Sequence, residues 1–277
     1  MSRKSLVRQA QERLQACLAI GTSKHRDKQI GATAGKIYSY STYKTYLKHI
    51  CYFVHWCQSQ HGCRSLDECR PYVSQYMDTR RDLSPYTLKL EVAAIRKLYG
   101  EDIEIATPDR RRKDITRSRG TAVRDAHFSE ARNAAIVALC RATGLRRSEL
   151  AALHVWDVNL SADGDGGDVV VRRGKGGKSR IVPIMGTETE IELIRGLVDN
   201  ATDRVCPRVP DNMDIHSYRR EYATRVYTRY ARADIPRSDR YYCRRDKRGI
   251  VYDRPAMLVT SQALGHNRIN VIAEHYL

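Results

Sequence analysis

Between residues 155 and 184 the hydrophobic period of the chain changes from that of a helix to that of a strand, and no all-helical fold accommodates the change. Val155 to Leu160, Val169-Val170-Val171-Arg172 and Arg180-Ile181-Val182-Pro183-Ile184 are short runs rich in β-branched residues. Asp163-Gly164-Asp165-Gly166-Gly167 and Gly174-Lys175-Gly176-Gly177-Lys178 lie between them and supply turns. The pattern predicts a small three-stranded antiparallel sheet set inside a helical domain.

Everything upstream has helical spacing. Residues 2–19 place Leu6, Val7, Ala10, Leu14, Cys17 and Leu18 on one face. Gly21 to Gly35 is polar and predicts a loop. A second helix, capped at Ser41 or Thr42, carries Tyr43, Tyr46, Leu47, Ile50, Phe53 and Val54. A third is expected from Ser65 or Leu66 to about Met77. A fourth follows Ser84-Pro85, a cap with proline in the first turn, and stops at Gly100. Residues 1–105 thus predict an all-α unit.

Residues 106–127 lose the apolar period and gain Arg110-Arg111-Arg112-Lys113. They form a basic linker, either a solvated loop or a strap along phosphates. A second domain, 128–277, opens at the cap Ser129 and continues to a break at Thr143-Gly144. A helix from Arg146 to His154 precedes the sheet. Helices over Thr187–Val198 and Ile215–Tyr230 follow, then an exposed hairpin from Tyr241 to Tyr252 around a basic, glycine-containing turn. The fold class expected is mainly α: an all-α unit followed by an α+β domain.

Lys and Arg number 49 against 32 Asp and Glu, a net charge of +17. That surplus favours an anionic partner, and nucleic acid is the commonest. No run approaches the roughly 18 apolar residues of a membrane span, and the N-terminus lacks a signal-peptide core, so no membrane is expected and the cytoplasm is the expected compartment. Cys51, Cys57, Cys63 and Cys69 recur every six residues, with His55 and His61 between them. That spacing fits neither one helical face nor the short ligand pairs of zinc sites, so free thiols and no metal are expected.

Arg146 and Glu149 stand three apart at a helix start, and His216 and Arg219 three apart on another helix, so each pair shares a face. Taken singly, Arg-x-x-Glu is an ordinary ion pair and a helical histidine an ordinary structural residue. Their order along the chain carries more: Arg146, Lys175, His216, Arg219, His266, Tyr276.

In that order the chain resembles the tyrosine recombinases, the phage integrase family. The resemblance rests on Thr143-Gly144-Leu145-Arg146-Arg147-Ser148-Glu149-Leu150, the turn Gly174-Lys175-Gly176, His216-Ser217-Tyr218-Arg219, and Leu264-Gly265-His266 followed by Tyr276. It implies a tyrosine-recombinase-type catalytic domain over 128–277, and the helical first unit is similar to the family's SAM-like core-binding domain. It further implies metal-independent and cofactor-free cleavage, with Tyr276 as nucleophile forming a covalent 3′-phosphotyrosine. A phenol ordinarily ionises near pH 10, so such a nucleophile needs positive neighbours. Arg146 and Arg219 would hold the non-bridging oxygens. Lys175 would protonate the leaving oxygen, with Lys178 of the same turn as the alternative. His216 and His266 would bond the phosphate or tune Tyr276, and Glu149 would orient an arginine or histidine rather than react. Tyr218, Tyr222 and Tyr227 are expected to pack, and His275 to be incidental.

DNA contacts are expected from Arg110, Arg111, Arg112, Lys113, Lys178, Arg244 and Arg245. The resemblance implies site-specific integration or excision of a mobile element such as a prophage, in a bacterial cell. The partners would be duplex DNA with inverted core-type sites, a homotetramer on two duplexes, and a candidate accessory DNA-bending or directionality factor. Two alternatives stand beside it: a type IB topoisomerase-like enzyme and a catalytically silent DNA-binding protein.

Three departures from the family pattern carry expectations. Lys175 to His216 is short, which predicts a trimmed helix. Arg219 to His266 is long by about the Tyr241–Tyr252 hairpin, whose Arg240, Arg244, Arg245, Lys247 and Arg248 point to DNA or a neighbouring subunit. Only Leu277 follows Tyr276, so the tyrosine is expected to be poorly held without DNA, and subunit coupling to run through other elements unless the chain is cut short. The segment before the second helix is too short for a separate arm-type DNA-binding domain, so core-type sites alone are expected.

Overall fold

A computed structural model describes residues 4–100, 103–109, 128–161, 166–174, 177–244 and 247–277. The chain divides into two compact units, residues 1–116 and 117–277. Arg110, Arg111, Arg112, Lys113, Lys175 and Arg245 lie outside the described residues.

The first unit holds α1 (Leu6–Ala16), α2 (Lys24–Gln29), α3 (Tyr40–His61), α4 (Leu66–Cys69), α5 (Val73–Asp78) and α6 (Pro85–Tyr99). Its core gathers Leu14, Ile50, Phe53, Ile95 and Leu98, all essentially inaccessible. Phe53 meets Tyr76 and Tyr99 edge-on, with ring centroids 5.2 and 6.2 Å away. Glu91 is a buried charge of this unit. Arg80 donates to it from Nε and Nη2 at 3.2 and 3.0 Å, and His49 Nδ1 lies 3.1 Å away.

Three local expectations for this unit are corrected. Ser39 caps α3, its hydroxyl accepting from Thr42 N–H at 3.2 Å. Ser39, Ser41 and Thr42 all offer a capping oxygen, and the earliest gives the longer helix. The expected single helix over 65–77 is split into α4, a 3-10 turn at Arg70–Tyr72, and α5. Pro71 lacks the N–H that an α-helix interior requires, and its ring crowds the preceding turn. Within the expected loop 21–35, α2 forms behind the cap Ser23. It buries no residue, so its sequence carries no apolar stripe.

The second unit contains α7 (Ala134–Thr143), α8 (Arg147–Ala151), β1 (Val158–Leu160), β2 (Gly167–Val171), β3 (Arg180–Pro183), α9 (Glu188–Asp199), α10 (Ile215–Tyr230), β4 (Arg240–Tyr242), β5 (Val251–Asp253), α11 (Arg254–Ala263) and α12 (Asn270–His275). The sheet has the order β1-β2-β3, antiparallel throughout, with Val169 opposite both Val158 and Val182. Its first strand is shorter than expected: Val155–Asp157 is a 3-10 turn, because the Asp157 carboxylate reaches back to His154 N–H at 3.3 Å. Helix α8 ends at Ala151 rather than at His154.

Helix α7 packs between α9 and α10, and the unit's core runs through Leu139, Leu145, Leu150, Val182, Ile194 and Tyr222. Tyr222 donates to the Pro183 carbonyl at 2.8 Å, which ties α10 to β3. Tyr218 and Tyr222 are buried and Tyr227 is partly buried, as packing residues are. The hairpin β4–β5 pairs Tyr241 with Tyr252, and it is docked on α10, where the Tyr227 hydroxyl accepts from Asp253 N–H at 2.9 Å. All eight cysteines are free thiols. Among the described residues no group of three or more His, Cys, Asp or Glu could hold a metal, and no helix is long and apolar enough to cross a membrane.

Candidate active site

Helix α11 ends by pointing two main-chain carbonyls at three arginines. Arg180 Nε donates to Ala263 O at 3.0 Å, while Arg146 Nη2 and Arg219 Nη2 donate to Leu264 O at 3.0 and 3.2 Å. A helix C-terminus leaves its last carbonyls without intrahelical donors and carries partial negative charge, so it collects cations. That end is thus the scaffold on which residues from α8, β3 and α10 converge.

Arg146 precedes α8, and Glu149 reaches back to it. The carboxylate accepts from Arg146 N–H at 2.9 Å and from Arg146 Nη1 at 2.8 Å. The three-residue spacing therefore serves as one half of a capping box as well as an ion pair. Glu149 also takes a two-pronged pair from Arg180, at 2.9 and 2.8 Å. Burial opposes its charge, yet Arg180 and the Arg146 groups outweigh that and hold the carboxyl at about 2.

Arg219 is the most enclosed cation of the site, only 2% exposed. Its Nη1 donates to the Gly144 carbonyl. Burial pushes the guanidinium below its ordinary value, and the neighbouring Tyr276 oxygen works in the opposite direction. Gly144 ends α7 in the left-handed conformation, φ 56°. A Cβ there would stand 2.4 Å from the Tyr222 ring, so the Thr143-Gly144 break has both a backbone and a packing reason.

Tyr276 follows α12 and is 8% exposed, which corrects the expectation of a poorly held tail. Ile272 and Ala273 bury the face of α12 beside it, and its own N–H bonds to Ile272 O at 3.0 Å. The phenol oxygen lies 3.2 Å from His266 Nε2, and the Arg219 guanidinium sits 5.8 Å from the ring centroid. Burial of the last turn holds it. His266 is fixed in turn by a two-way bond with Ser261: His266 N–H donates to Ser261 O at 2.8 Å, and Ser261 Oγ to His266 O at 3.1 Å.

These groups face a cleft of about 1210 Å³ lined by Arg146, Lys178, His216, Arg219, His266 and Tyr276, among others. His216 and Lys178 are solvent-exposed on its wall. Lys175, two residues from the described Gly177, falls outside the described residues. Arg244 is exposed on the hairpin and does not line the cleft. His275 is exposed beside Glu274.

Sequence reasoning missed two arginines. Arg180 reads in the sequence as an ordinary strand residue. Arg147 hides beside Arg146, yet its guanidinium donates to the carbonyls of Val209, Pro210, Asp211 and Met213 and so fixes the segment leading into α10. The local sign at Arg180 is a charge at the head of a β-branched strand run, which does not identify its partners.

The small antiparallel sheet set among helices and the cleft of the second unit make an α+β domain whose fold is similar to that of a solved site-specific recombinase. Residues 121–217 match the model of the phage integrase family. Among solved structures the chain is similar to XerH site-specific recombinase bound to palindromic difH substrate in a post-cleavage complex. The identity is 15%, with 96% of this chain and 89% of that chain covered, at TM-score 0.50. The Tn1549 transposon integrase with transposon right-end DNA is 13% identical over 99% of this chain and 95% of that one, at TM-score 0.45. XerA recombinase is 18% identical over 96% and 93%, at TM-score 0.35. No curated protein matches the chain.

Proposed function

We propose that the protein is a site-specific DNA recombinase that cuts and rejoins DNA through a covalent 3′-phosphotyrosine at Tyr276. The observation that carries this reading is the convergence of Arg146, Arg219, His266 and Tyr276 on one cleft, with the phenol oxygen 3.2 Å from an imidazole.

In this reading a scissile phosphate enters the cleft and its non-bridging oxygens meet the Arg146 and Arg219 forks. The tyrosine oxygen attacks phosphorus, its proton passing toward His266 or solvent, and the bond to the 5′ oxygen breaks. Lys175, or Lys178 of the same turn, gives that oxygen a proton. Negative charge builds on the phosphorane, so arginines already fixed by Leu264 O and Gly144 O stabilise the transition state more than the ground state. His216, on the cleft wall, would bond a phosphate oxygen. Return of a 5′ hydroxyl from another strand reverses the chemistry and exchanges partners.

The +17 charge supports DNA as the partner. Arg110, Arg111, Arg112, Lys113, Arg244 and Arg245 are proposed phosphate contacts. The XerH structure was solved with its difH substrate, which supports DNA as the partner here. Integration or excision of a mobile element, pairing of inverted core-type sites and a tetramer on two duplexes extend the same reading.

The test is a plasmid carrying two copies of the DNA junction that flanks the coding sequence. Recombinant circles, formed with the paired junctions and not with scrambled sequence, are the expected products. Relaxed topoisomers from any plasmid, without recombinants, would replace the reading with a type IB topoisomerase-like one.

A further inference from the structure

The hairpin between α10 and α11 does more than display basic residues. Lys247, beyond its first strand, turns back onto the segment that carries Tyr276. Its ammonium donates to Ala273 O at 2.7 Å and to Leu277 O at 2.8 Å. One acceptor lies three residues before the tyrosine and the other immediately after it, so the lysine brackets it.

Helix α12 is only six residues long, and a helix of that length has no stability of its own in water. Tertiary contacts must hold it. Ile272 and Ala273 hold its buried face, while its C-terminal carbonyls need a donor and carry the negative end of the helix dipole. An ammonium with three donors supplies both the bond and the charge. The hairpin is itself firmly tied. Arg232 grips the Asp253 carboxylate at 2.8 Å from Nε and 2.7 Å from Nη2, and Cys243 N–H bonds to Ile250 O at 3.0 Å to close the loop.

We propose that Lys247 is a positioning residue for strand cleavage. It holds the Tyr276 segment to the insertion hairpin of the same chain, and thereby keeps the phenol oxygen beside His266 and Arg219. The proposal rests on Tyr276 being the nucleophile, and it revises the expectation that this lysine points to DNA or another subunit.

The test compares wild type, Tyr276→Phe, Lys247→Met and Lys247→Arg on a nicked duplex bearing the flanking junction. The rate of denaturant-resistant adduct formation and the DNA affinity by mobility shift are both read. In parallel, 3-fluorotyrosine placed at position 276 is followed by fluorine NMR without DNA. Lys247→Met is expected to slow adduct formation ~10-fold or more at unchanged affinity, since small misplacements of a reacting group are costly. Its fluorine resonance should move toward the solvent-exposed position, and Lys247→Arg should recover both. Wild-type rate in Lys247→Met, a rate loss matched by an equal affinity loss, or failure of Lys247→Arg to recover would each overturn the assignment. Absence of adduct from wild type would strike the recombinase reading instead, and the fluorine signal would then decide the positioning contact alone: an unmoved resonance overturns it.

Discussion

Glu149 and Arg180 form a two-pronged ion pair, Nη1 to Oε1 at 2.9 Å and Nη2 to Oε2 at 2.8 Å, with the carboxylate almost fully buried. The pair joins α8 to β3, and through Arg180 Nε it joins both to the end of α11. The same carboxylate holds Arg146, so a residue with no reacting atom fixes one of the cations that face the cleft.

Its charge makes the fold acid-sensitive in a defined window. The folded carboxyl sits at about 2, below its ordinary 4.5. A depressed carboxylate contributes stability that is complete above about 4.5 and is lost as pH falls toward 2, roughly 3 kcal/mol in all. Urea unfolding of wild type and Glu149→Gln across this range should show the gap between them closing as pH falls. A constant gap would contradict the assignment.

Arg180→Met removes one arm of a buried pair and leaves Glu149 short of a partner. Such a break costs about 3–5 kcal/mol. Thermal melting should show a clear loss for Arg180→Met, and cleavage should slow at near-normal DNA affinity, because the Glu149 carboxylate that holds Arg146 is no longer fixed from its other side. A variant as stable as wild type would mean that the pair is dispensable.

Gly144→Ala meets two obstacles at once, a positive φ and the Tyr222 ring. The backbone alone costs about 1–2 kcal/mol, and the contact adds to it. Because the Gly144 carbonyl holds Arg219, cleavage should fall along with stability. Equilibrium unfolding with single-turnover cleavage measures both, and an unchanged rate in a destabilised variant would separate Arg219 from this carbonyl.

Arg219→Lys keeps a charge but cannot span Gly144 O and Leu264 O while facing a phosphate. A loss of about 10²-fold or more in cleavage rate, with DNA affinity preserved, is the expected signature of a group that acts on the transition state. An equal fall in affinity and rate would make it a binding residue only.

How much of this was legible depended on how far apart in sequence the partners lie. Arg146 with Glu149, and the Leu264-Gly265-His266 turn, are local patterns whose geometry follows from helix and turn spacing. The strand runs and glycine turns placed the sheet to within a few residues. Pro71 was equally visible, and it splits the third helix as its missing N–H requires. Arg180 and Lys247 were not legible as positioning groups: Arg180 meets partners 31 and 83 residues away, and Lys247 partners 26 and 30 away. Nothing in local period or propensity encodes such long-range pairs. The tail was misjudged because a terminal position ordinarily frays, whereas Ile272, Ala273 and Tyr276 bury themselves in the core of the second unit.

On the proposed mechanism Tyr276 forms the covalent bond to DNA. Wild type and Tyr276→Phe, incubated with a nicked duplex carrying the flanking junction and then denatured, test it directly. The expected result is a denaturant-resistant adduct from wild type, with peptide mapping of the phosphorylated tyrosine to residues 269–277, and none from Tyr276→Phe. An adduct retained by Tyr276→Phe, or mapped to another tyrosine such as Tyr218 or Tyr222, would contradict it.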